Sequence, residues 1–315
     1  MITTVTLNPS VDKVVYLSKL VPHDTNRILR VEIDAGGKGI NCARMLKRLG
    51  ADVVALAFLG GMTGDFVAAV LAKEDVPLER VETSRPTRNC IAIEEEQTDK
   101  PPTTLNERGG PIEHSELVAI FEKTKALARQ SSYVVLGGSV PWGVNNEVYN
   151  ALVQIASNAK AKAVLDADGE PLEEGIKAKP FMVKPNLEEA ERLLKTTCRS
   201  RADVCRAALR IAEMGVELVV ISLGRQGAIA CYQDAIYDLV PPDIREISTI
   251  GSGDSMIAGI LFGLERNLGI EEALRLGCAA GAATAMSSGA DIGTKEDVDR
   301  LVSAVKVKRI EASKC

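Results

Sequence analysis

The sequence predicts an α/β fold: a three-layer α/β/α core with a mainly parallel sheet, and a small second β-sheet outside that core. From Val53 onward, short apolar strands alternate with long helices, which is typical of parallel sheets. Two stretches, about 11–34 and 85–108, instead alternate apolar and polar residues as half-exposed strands do. We therefore expect these stretches to form one small sheet, within a single domain spanning residues 1–315.

The first fifty residues are predicted to form three strands followed by one helix. Residues 2–7 form an apolar run that predicts a buried strand, and Pro9 ends it because proline cannot continue a hydrogen-bonded ladder. Strands are expected at 11–20 and 27–33. A helix then begins near residues 35–39, and Gly50 ends it in the position that favours glycine. Its predicted apolar face consists of Cys42, Met45, Leu46 and Leu49.

The rest of the chain supplies the remaining strands and helices. Core strands are predicted at 53–58, 133–136, 163–166, 181–183 and 218–222, with a hairpin at 228–231 and 236–240. Exposed strands are predicted at 91–95 and 103–106. One helix is predicted to follow the strand at 53–58 and to end near Lys73, and another to follow Asp254. The other helices are predicted near 115–130, 145–158, 187–195, 202–214, 271–288 and 295–305.

Composition argues against several functions. Aromatic residues make up only 3% of the chain and the net charge is −5, so base-stacking platforms and a basic footprint for nucleic acid are both missing. No apolar run approaches the ~18 residues of a membrane span, and the N-terminal residues lack a signal-peptide pattern. Seven scattered cysteines indicate reduced thiols in a cytoplasmic protein. The two histidines, His23 and His114, argue against a histidine-based triad or metal site.

A glycine-rich turn at Gly251-Ser252-Gly253 is the stretch with most chemical content. It opens a helix, and the first amides of a helix point outward, unpaired, at the positive end of its dipole. Such amides bind phosphoryl groups. Asp254 lies at the rim of this site, where its carboxylate would repel a polyphosphate but could accept a proton from an attacking hydroxyl. The alternative, that Asp254 merely caps the helix, stays open on this motif alone.

Three further glycine-rich turns follow predicted strands or open a helix, at 36–41, 137–139 and 222–227. Ligands of open parallel sheets bind beyond the carboxyl ends of the strands, so these turns belong to one candidate site. None matches a Walker A loop, and none matches the dinucleotide pattern Gly-x-Gly-x-x-Gly. Together with a carboxylate, the four turns suggest phosphate handling.

Lys184-Pro185-Asn186-Leu187-Glu188-Glu189 ends an apolar strand and begins a helix. Asn186 and Glu189 lie three residues apart and share a helix face. They fit a capping box, with Asn186 as N-cap, and they equally fit an oxygen-ligand set for Mg²⁺. The two interpretations are compatible with each other.

These motifs give the chain a resemblance to ribokinase-like (PfkB) sugar kinases, specifically to the branch of 1-phosphofructokinases and tagatose-6-phosphate kinases. The resemblance runs over nearly the whole chain. It is carried by the following motifs in order: Thr6-Leu7-Asn8-Pro9-Ser10-Val11-Asp12, Ala35-Gly36-Gly37-Lys38-Gly39-Ile40-Asn41, Thr87-Arg88-Asn89, Gly138-Ser139-Val140-Pro141, Lys184-Pro185-Asn186 with Glu189, Ser222-Leu223-Gly224, and Gly251 to Ser255.

The resemblance implies a role for each matching residue. Asp254 is similar to the family's catalytic base, and Gly251, Ser252 and Gly253 to its anion hole. Asn186 and Glu189 match a motif linked to Mg²⁺. The residues expected at the ATP phosphates are Lys184, Ser222, Leu223, Gly224, Arg225, Gln226, Gly227 and Gly253. The residues expected at the sugar are Asp12, Gly37, Lys38, Gly39, Asn41 and Ser139, with Arg27 and Arg88 holding the phosphate of the acceptor.

The resemblance also implies a strand lid over the sugar, formed by about 11–34 and 85–108, and a homodimer through this lid. The expected reaction is ATP-dependent phosphorylation of a ketohexose phosphate, with fructose 1-phosphate as the first acceptor. Tagatose 6-phosphate and fructose 6-phosphate remain alternatives, because Gly137-Gly138-Ser139 and Gly251-Ser252-Gly253 depart from the commonest motifs of the branch. A non-catalytic sugar-phosphate sensor and a nucleoside kinase are disfavoured by Asp254 and by the two arginines, respectively.

Overall fold

The computed structural model describes residues 1–98, 102–233 and 235–310. Residues 99–101 of the predicted stretch 85–108, and Cys315, lie outside the described residues. The strands are β1 Ile2–Thr6, β2 Ser10–Leu17, β3 Arg30–Gly36, β4 Val53–Leu59, β5 Leu78–Glu82, β6 Arg88–Glu95, β7 Thr103–Asn106, β8 Tyr133–Gly137, β9 Lys162–Asp166, β10 Met182–Val183, β11 Leu218–Ser222, β12 Ala228–Tyr232, β13 Ala235–Val240 and β14 Lys306–Ile310. The helices are α1 Lys38–Leu49, α2 Gly61–Lys73, α3 His114–Ala128, α4 Val148–Asn158, α5 Glu170–Ile176, α6 Leu187–Leu194, α7 Arg201–Ala212, α8 Ser252–Glu265, α9 Ile270–Ala285 and α10 Lys295–Leu301.

A ten-stranded sheet forms the middle layer of the core, in the order β14-β13-β12-β11-β10-β9-β8-β1-β4-β5. The seven strands from β11 to β5 pair in parallel, and the last three at the other edge pair antiparallel. The predicted fold class, a mainly parallel sheet between two helical layers, is therefore confirmed.

Side chains alternate along each buried strand and feed two separate cores. On β4, Ala55 and Ala57 face the cluster that contains α1, α8 and α9, whereas Leu56 and Phe58 face the cluster that contains α3, α4 and α7. Strands buried on both faces read as continuous apolar runs, which explains why the sequence predicted them well. The two cores therefore lie on opposite faces of the sheet.

The two half-exposed stretches, about 11–34 and 85–108, form one small sheet in the order β3-β2-β6-β7, as predicted. Asp12 pairs with Asp34 on one side and with Cys90 on the other, and Cys90 pairs with Asn106. We call this four-stranded sheet the lid. One of its faces looks toward the carboxyl ends of the core strands.

Three elements were absent from the predicted set, and each lies at an edge or is short. β5 (Leu-Glu-Arg-Val-Glu) and β14 (Lys-Val-Lys-Arg-Ile) are the two edge strands of the large sheet, and charged residues interrupt their apolar pattern. α5 has only seven residues and carries Pro171 in its first turn. The predicted helix near 295–305 is α-helical to Leu301 and continues as a 3-10 turn over Val302–Ala304, just before β14.

The structure also bears on the cysteines and on membrane-spanning helices. Cys42, Cys90, Cys198 and Cys278 are free thiols. Within the described part of the chain, no helix has the length and apolarity needed to cross a bilayer.

Candidate active site

One cavity of about 1330 Å³ lies between the lid and the carboxyl ends of the core strands. All but three of the residues predicted for the site line it: Asp12, Gly37, Lys38, Asn41, Arg88, Ser139, Lys184, Asn186, Glu189, Ser222, Gly224, Arg225, Gln226, Gly227, Gly251, Ser252, Gly253 and Asp254. The structure thus gathers side chains from both ends of the chain around one space.

Arg27, Gly39 and Leu223 are the predicted residues that do not line this cavity. Arg27 lies in the exposed loop between β2 and β3. A Cβ on Gly39 would lie 2.4 Å from Thr6 Oγ1, so this glycine lets α1 approach β1. The amide of Leu223 bonds to the carbonyl of Gly227 at 2.8 Å, which closes the 222–227 loop. Within a single chain, Gly39 and Leu223 therefore shape the site, and Arg27 is remote from it.

Asp254 lies in the first turn of α8, on the floor of the cavity. The N-cap of this helix is Gly251, which adopts a φ of 75° and bonds through no side chain, so the alternative that Asp254 is the cap is wrong. The Asp254 side chain is only 7% exposed, and its Oδ2 accepts a hydrogen bond from Asn41 Nδ2 at 2.8 Å. The expected position at the rim is therefore corrected to a buried position, because α1 packs against α8 from the side.

Burial and the neighbouring charge of Asp166 raise the pKa of Asp254 to about 7, against the opposing effects of Lys38, Asn41 and Lys184. A carboxylate with this pKa is a better proton acceptor near neutral pH than an exposed aspartate. The location of Asp254 thus suits general-base chemistry.

The start of α8 also supplies donors for an anion. Among the described residues, the amides of Gly253 and Asp254 have no backbone acceptor, and the buried Ser252 Oγ has no partner. A Cβ on Gly253 would lie 2.9 Å from Lys184 Nζ, so the lysine amine lies close to the main chain at this glycine. Amides and an ammonium group therefore face the same point beside Asp254.

Asp166 is a site residue that the sequence analysis did not select. It ends β9, is 2% exposed, and its Oδ1 accepts from Lys38 Nζ at 3.0 Å with Lys184 Nζ at 3.7 Å. Burial opposes its ionisation, but the two lysines outweigh burial and lower the pKa of Asp166. Asp166 thus holds two cations near Asp254. The available signal was an aspartate at the carboxyl end of a buried strand.

Arg88 and Asn8 join the lid to the core at another wall of the cavity. The Arg88 guanidinium donates to the Asn8 carbonyl at 3.2 Å and to the Glu107 carbonyl at 2.9 Å. Asn8 Nδ2 in turn donates to Ser139 Oγ at 2.9 Å. Asn8 was predicted only as the end of a strand, although it lies in a motif that carries the family resemblance. Nearby, Ser10 donates to Asp12 Oδ1 at 2.6 Å, and burial raises the pKa of Asp12.

The 222–227 loop closes the opposite end of the cavity. Gly224 and Gly227 have positive φ, and a Cβ on Gly227 would lie 1.9 Å from the Leu239 carbonyl oxygen. Arg225 pairs with Glu246 at 3.1 Å, and Arg201 donates to the Gln226 carbonyl at 3.1 Å. This loop is thus held from both sides, and Arg201 is a further cavity residue that the sequence analysis did not select.

Asn186 and Glu189 form the predicted capping box. Glu189 N donates to Asn186 Oδ1 at 2.9 Å, and Asn186 N donates to Glu189 Oε2 at 2.8 Å. The capping interpretation is confirmed, and both residues also line the cavity. Within residues 1–98, 102–233 and 235–310, no group of three or more His, Cys, Asp or Glu side chains is arranged to hold a metal ion.

Comparison with known proteins shows the family of the chain. Residues 5–297 match the pfkB family of carbohydrate kinases. The chain is 34% identical to a 1-phosphofructokinase of Bacillus subtilis (98% of this chain, 100% of the relative) and 32% identical to a tagatose-6-phosphate kinase of Staphylococcus epidermidis (98% and 99%). Phosphofructokinase-2 from Escherichia coli, in a crystal structure with substrates and products, superposes with a TM-score of 0.90 at 30% identity (96% and 98%). The chain therefore belongs to the pfkB family of carbohydrate kinases.

Proposed function

We propose that the protein transfers the γ-phosphoryl group of ATP to a ketohexose phosphate, with fructose 1-phosphate as the acceptor and fructose 1,6-bisphosphate as the product. The observation that carries this proposal is the carboxylate of Asp254, which lies beside the unpaired amides of Gly253 and of its own residue at the floor of one cavity. A general base and an anion hole next to each other are what phosphoryl transfer to a hydroxyl requires.

In the proposed reaction, Asp254 accepts the proton of the attacking sugar hydroxyl as the oxygen bonds to the γ-phosphorus and ADP leaves. Asn41 orients the Asp254 carboxylate through its 2.8 Å hydrogen bond. The amides at the start of α8 and the amine of Lys184 stabilise the charge that spreads over the transferred group. Lys38 and Lys184 are held at this point by Asp166.

On the acceptor side, Asp12, Lys38, Asn41 and Ser139 would bind the sugar, and Arg88 its phosphate. Gly37 has a φ of 122° and lets the chain pass close to Thr6 and Pro9. On the donor side, the loop from Ser222 to Gly227 would hold the remaining phosphates of ATP. Residues 1–315 then act as one kinase domain, with 11–34 and 85–108 as the lid that excludes water.

Mg²⁺ fits the donor set at Asn186 and Glu189, where one carboxylate at the cavity wall suits an ion that keeps several waters and binds through phosphates. The missing cluster of three ligands among the described residues is compatible with this type of site. When bound, Mg²⁺ neutralises charge on the phosphates of ATP.

The lid also supports a homodimer. Ile33 of β3 and Leu105 of β7 lie on the two edge strands of the lid, in one register row with Lys13 and Ile91. Lys13 and Ile91 also line the cavity, whereas Ile33 is 51% and Leu105 55% exposed. Exposed apolar side chains on the edge strands are suited to contact with a second copy of the chain. Arg27, which is remote from its own cavity, would contact an acceptor only in such an assembly or after the β2–β3 loop moves.

The experiment that tests the function measures ADP release with ATP and fructose 1-phosphate, tagatose 6-phosphate or fructose 6-phosphate, side by side. We expect the highest kcat/KM with fructose 1-phosphate. A higher value with tagatose 6-phosphate would favour the second candidate, which the 32% identical tagatose-6-phosphate kinase supports. No release above the acceptor-free rate with any of the three would contradict a kinase of ketohexose phosphates.

A further inference from the structure

Arg44 on α1 is a buried cation that the reaction outlined above does not use. It is 1% exposed and is one of the largest fully buried side chains of the described residues. Its guanidinium donates twice to the Glu74 carboxylate, at 2.9 and 2.6 Å, and once to Asp34 Oδ2 at 3.0 Å. A buried charge is costly unless several partners satisfy it, so this position is specified for an arginine.

One side of this arginine leads to the lid. Asp34 lies on β3, where it pairs in register with Asp12 of β2, and Arg44 also donates to the carbonyl of Ala35 at 3.4 Å. The chain then passes Gly36, where a Cβ would lie 2.2 Å from the Asp12 carboxylate. Arg44 therefore holds the end of the lid strand that lies against a predicted sugar ligand.

The other side leads to the anion hole. Arg48, one turn after Arg44, shares the Glu74 carboxylate at 2.9 Å and bonds to Asp291 Oδ1 at 3.1 Å and to the carbonyl of Ile292. Arg44 itself lies 3.7 Å from Asp291. The arginine pair thus fixes the loop from 286 to 294, which connects α9 with α10.

This loop lies directly against the start of α8. Ile292 Cδ1 lies 3.0 Å from the point where Gly251 would carry a Cβ. The amide of Gly293 donates to Thr284 Oγ1 at 3.0 Å, and Thr284 donates to Ser255 Oγ at 2.7 Å. The same loop touches the lid, because a Cβ on Gly289 would lie 2.0 Å from Glu32 Oε2.

We propose that Arg44 is a positioning residue that couples the lid to the anion hole, so that binding of the acceptor and binding of ATP strengthen each other. The inference rests on the proposed kinase function. Asp34 is part of the lid, and Asp291 is part of the loop from 286 to 294. Arg44 and Arg48 bind these two carboxylates and so hold the lid and the loop in a fixed relative position. Two elements held by a shared buried cation shift together, which is the physical basis for coupling two binding sites.

The test measures the Kd of fructose 1-phosphate by calorimetry, without and with a saturating magnesium salt of the non-hydrolysable analogue AMP-PNP. For the unmodified protein we expect tighter binding with the analogue. In Arg44→Lys, which keeps the charge but loses the fork of donors, the ratio of the two Kd values should fall about 2- to 30-fold, the range for residues that lie between coupled sites. A purely structural role would lower Tm and leave this ratio unchanged.

Arg48→Gln is the second variant, since a partly exposed residue is less needed for folding, and we expect a smaller fall of the ratio in the same direction. The matched control is Arg80→Gln, which removes ion pairs with Asp65 and Glu82 away from the lid and should keep the ratio of the unmodified protein. A ratio of one in the unmodified, active protein, or an unchanged ratio in Arg48→Gln, would overturn the coupling. Absence of turnover in the unmodified protein would instead contradict the proposed function.

Discussion

Asn41 of α1 donates a 2.8 Å hydrogen bond to the carboxylate of Asp254 on α8, although 213 residues separate them in the chain. Asn41 follows the turn that carries Gly37 and Lys38, proposed to bind the sugar, and Asp254 follows the turn proposed as the anion hole. One contact therefore aligns the two halves of the proposed reaction. Because the carboxylate is fixed by a neutral donor, it stays available as a base.

The lid should hold two chains together. Ile33→Asp with Leu105→Asp places charges at the exposed apolar positions of the two edge strands of the lid, where burial against a second copy would desolvate them. We expect the unmodified protein to sediment as a dimer at micromolar concentration and the double variant as a monomer. Met62→Asp, at another apolar side chain that is 89% exposed, is the control and should remain dimeric. A monomeric unmodified protein would contradict the dimer.

Arg88 should act on the phosphate of the acceptor. Arg88→Ala removes a charged donor, and the loss of hydrogen bonds to a charged group predicts a rise of about 10- to 100-fold in KM for fructose 1-phosphate with a small change in KM for ATP. Steady-state kinetics with both substrates varied measure this. If the affinity for unphosphorylated fructose weakened by the same factor, Arg88 would be supporting the lid through Asn8 and Glu107 instead.

Asp166 should be essential for stability as well as for the site. Asp166→Asn leaves Lys38 and Lys184 without their shared counter-charge, and breaking a buried ion pair costs about 3–5 kcal/mol of unfolding free energy. Urea unfolding measures this loss. Asp65→Asn breaks an exposed pair with Arg80 and is the control, with an expected cost of at most about 1 kcal/mol. Equal effects of the two variants would show that Asp166 contributes no more than a surface charge.

The activity should depend on pH through Asp254. Because burial and Asp166 raise the pKa of Asp254 to about 7, the base form is lost as the pH falls below that value, and kcat/KM should drop about tenfold per pH unit. In Asp166→Asn the neighbouring charge is gone, so the midpoint should move to lower pH. A profile that is flat between pH 6 and 8 would contradict this role of burial.

The raised pKa of Asp254 affects the stability of the fold in the opposite direction from its effect on activity. Between the usual value of 3.8 and about 7, folded Asp254 binds its proton more tightly than the unfolded chain does. The contribution of this one group to the free energy of unfolding therefore decreases as the pH rises through that window. Activity and stability thus respond in opposite directions to the same titration.

Much of this fold could be predicted from the sequence because its core strands are buried on both faces and its turns carry glycine. Gly50, for example, adopts φ 85° at the end of α1 as predicted. The edge strands β5 and β14 escaped prediction because half of their surface is exposed and their sequences alternate with charges. Local pattern reveals burial on two faces better than burial on one.

The glycine turns of the candidate site could be predicted from the sequence, whereas the burial of its charged side chains could not. Asp254 was expected at a rim, and only the packing of α1 against α8 makes it a floor residue. Asp166 escaped because nothing near it in the sequence shows that Lys38 and Lys184 meet there. Arg44 escaped for the same reason, since its partners Asp34, Glu74 and Asp291 come from three separate elements. Charges that meet across the chain are fixed by tertiary structure alone.

The most direct test of the account is the turnover of Asp254→Asn with ATP and fructose 1-phosphate. The variant keeps the shape of the side chain and should fold as the unmodified protein does, with Tm as the check. Loss of a general base predicts a kcat about 10²- to 10⁴-fold lower, with KM values little changed. A variant that folds and turns over at nearly the normal rate would contradict Asp254 as the base, and with it the proposed reaction.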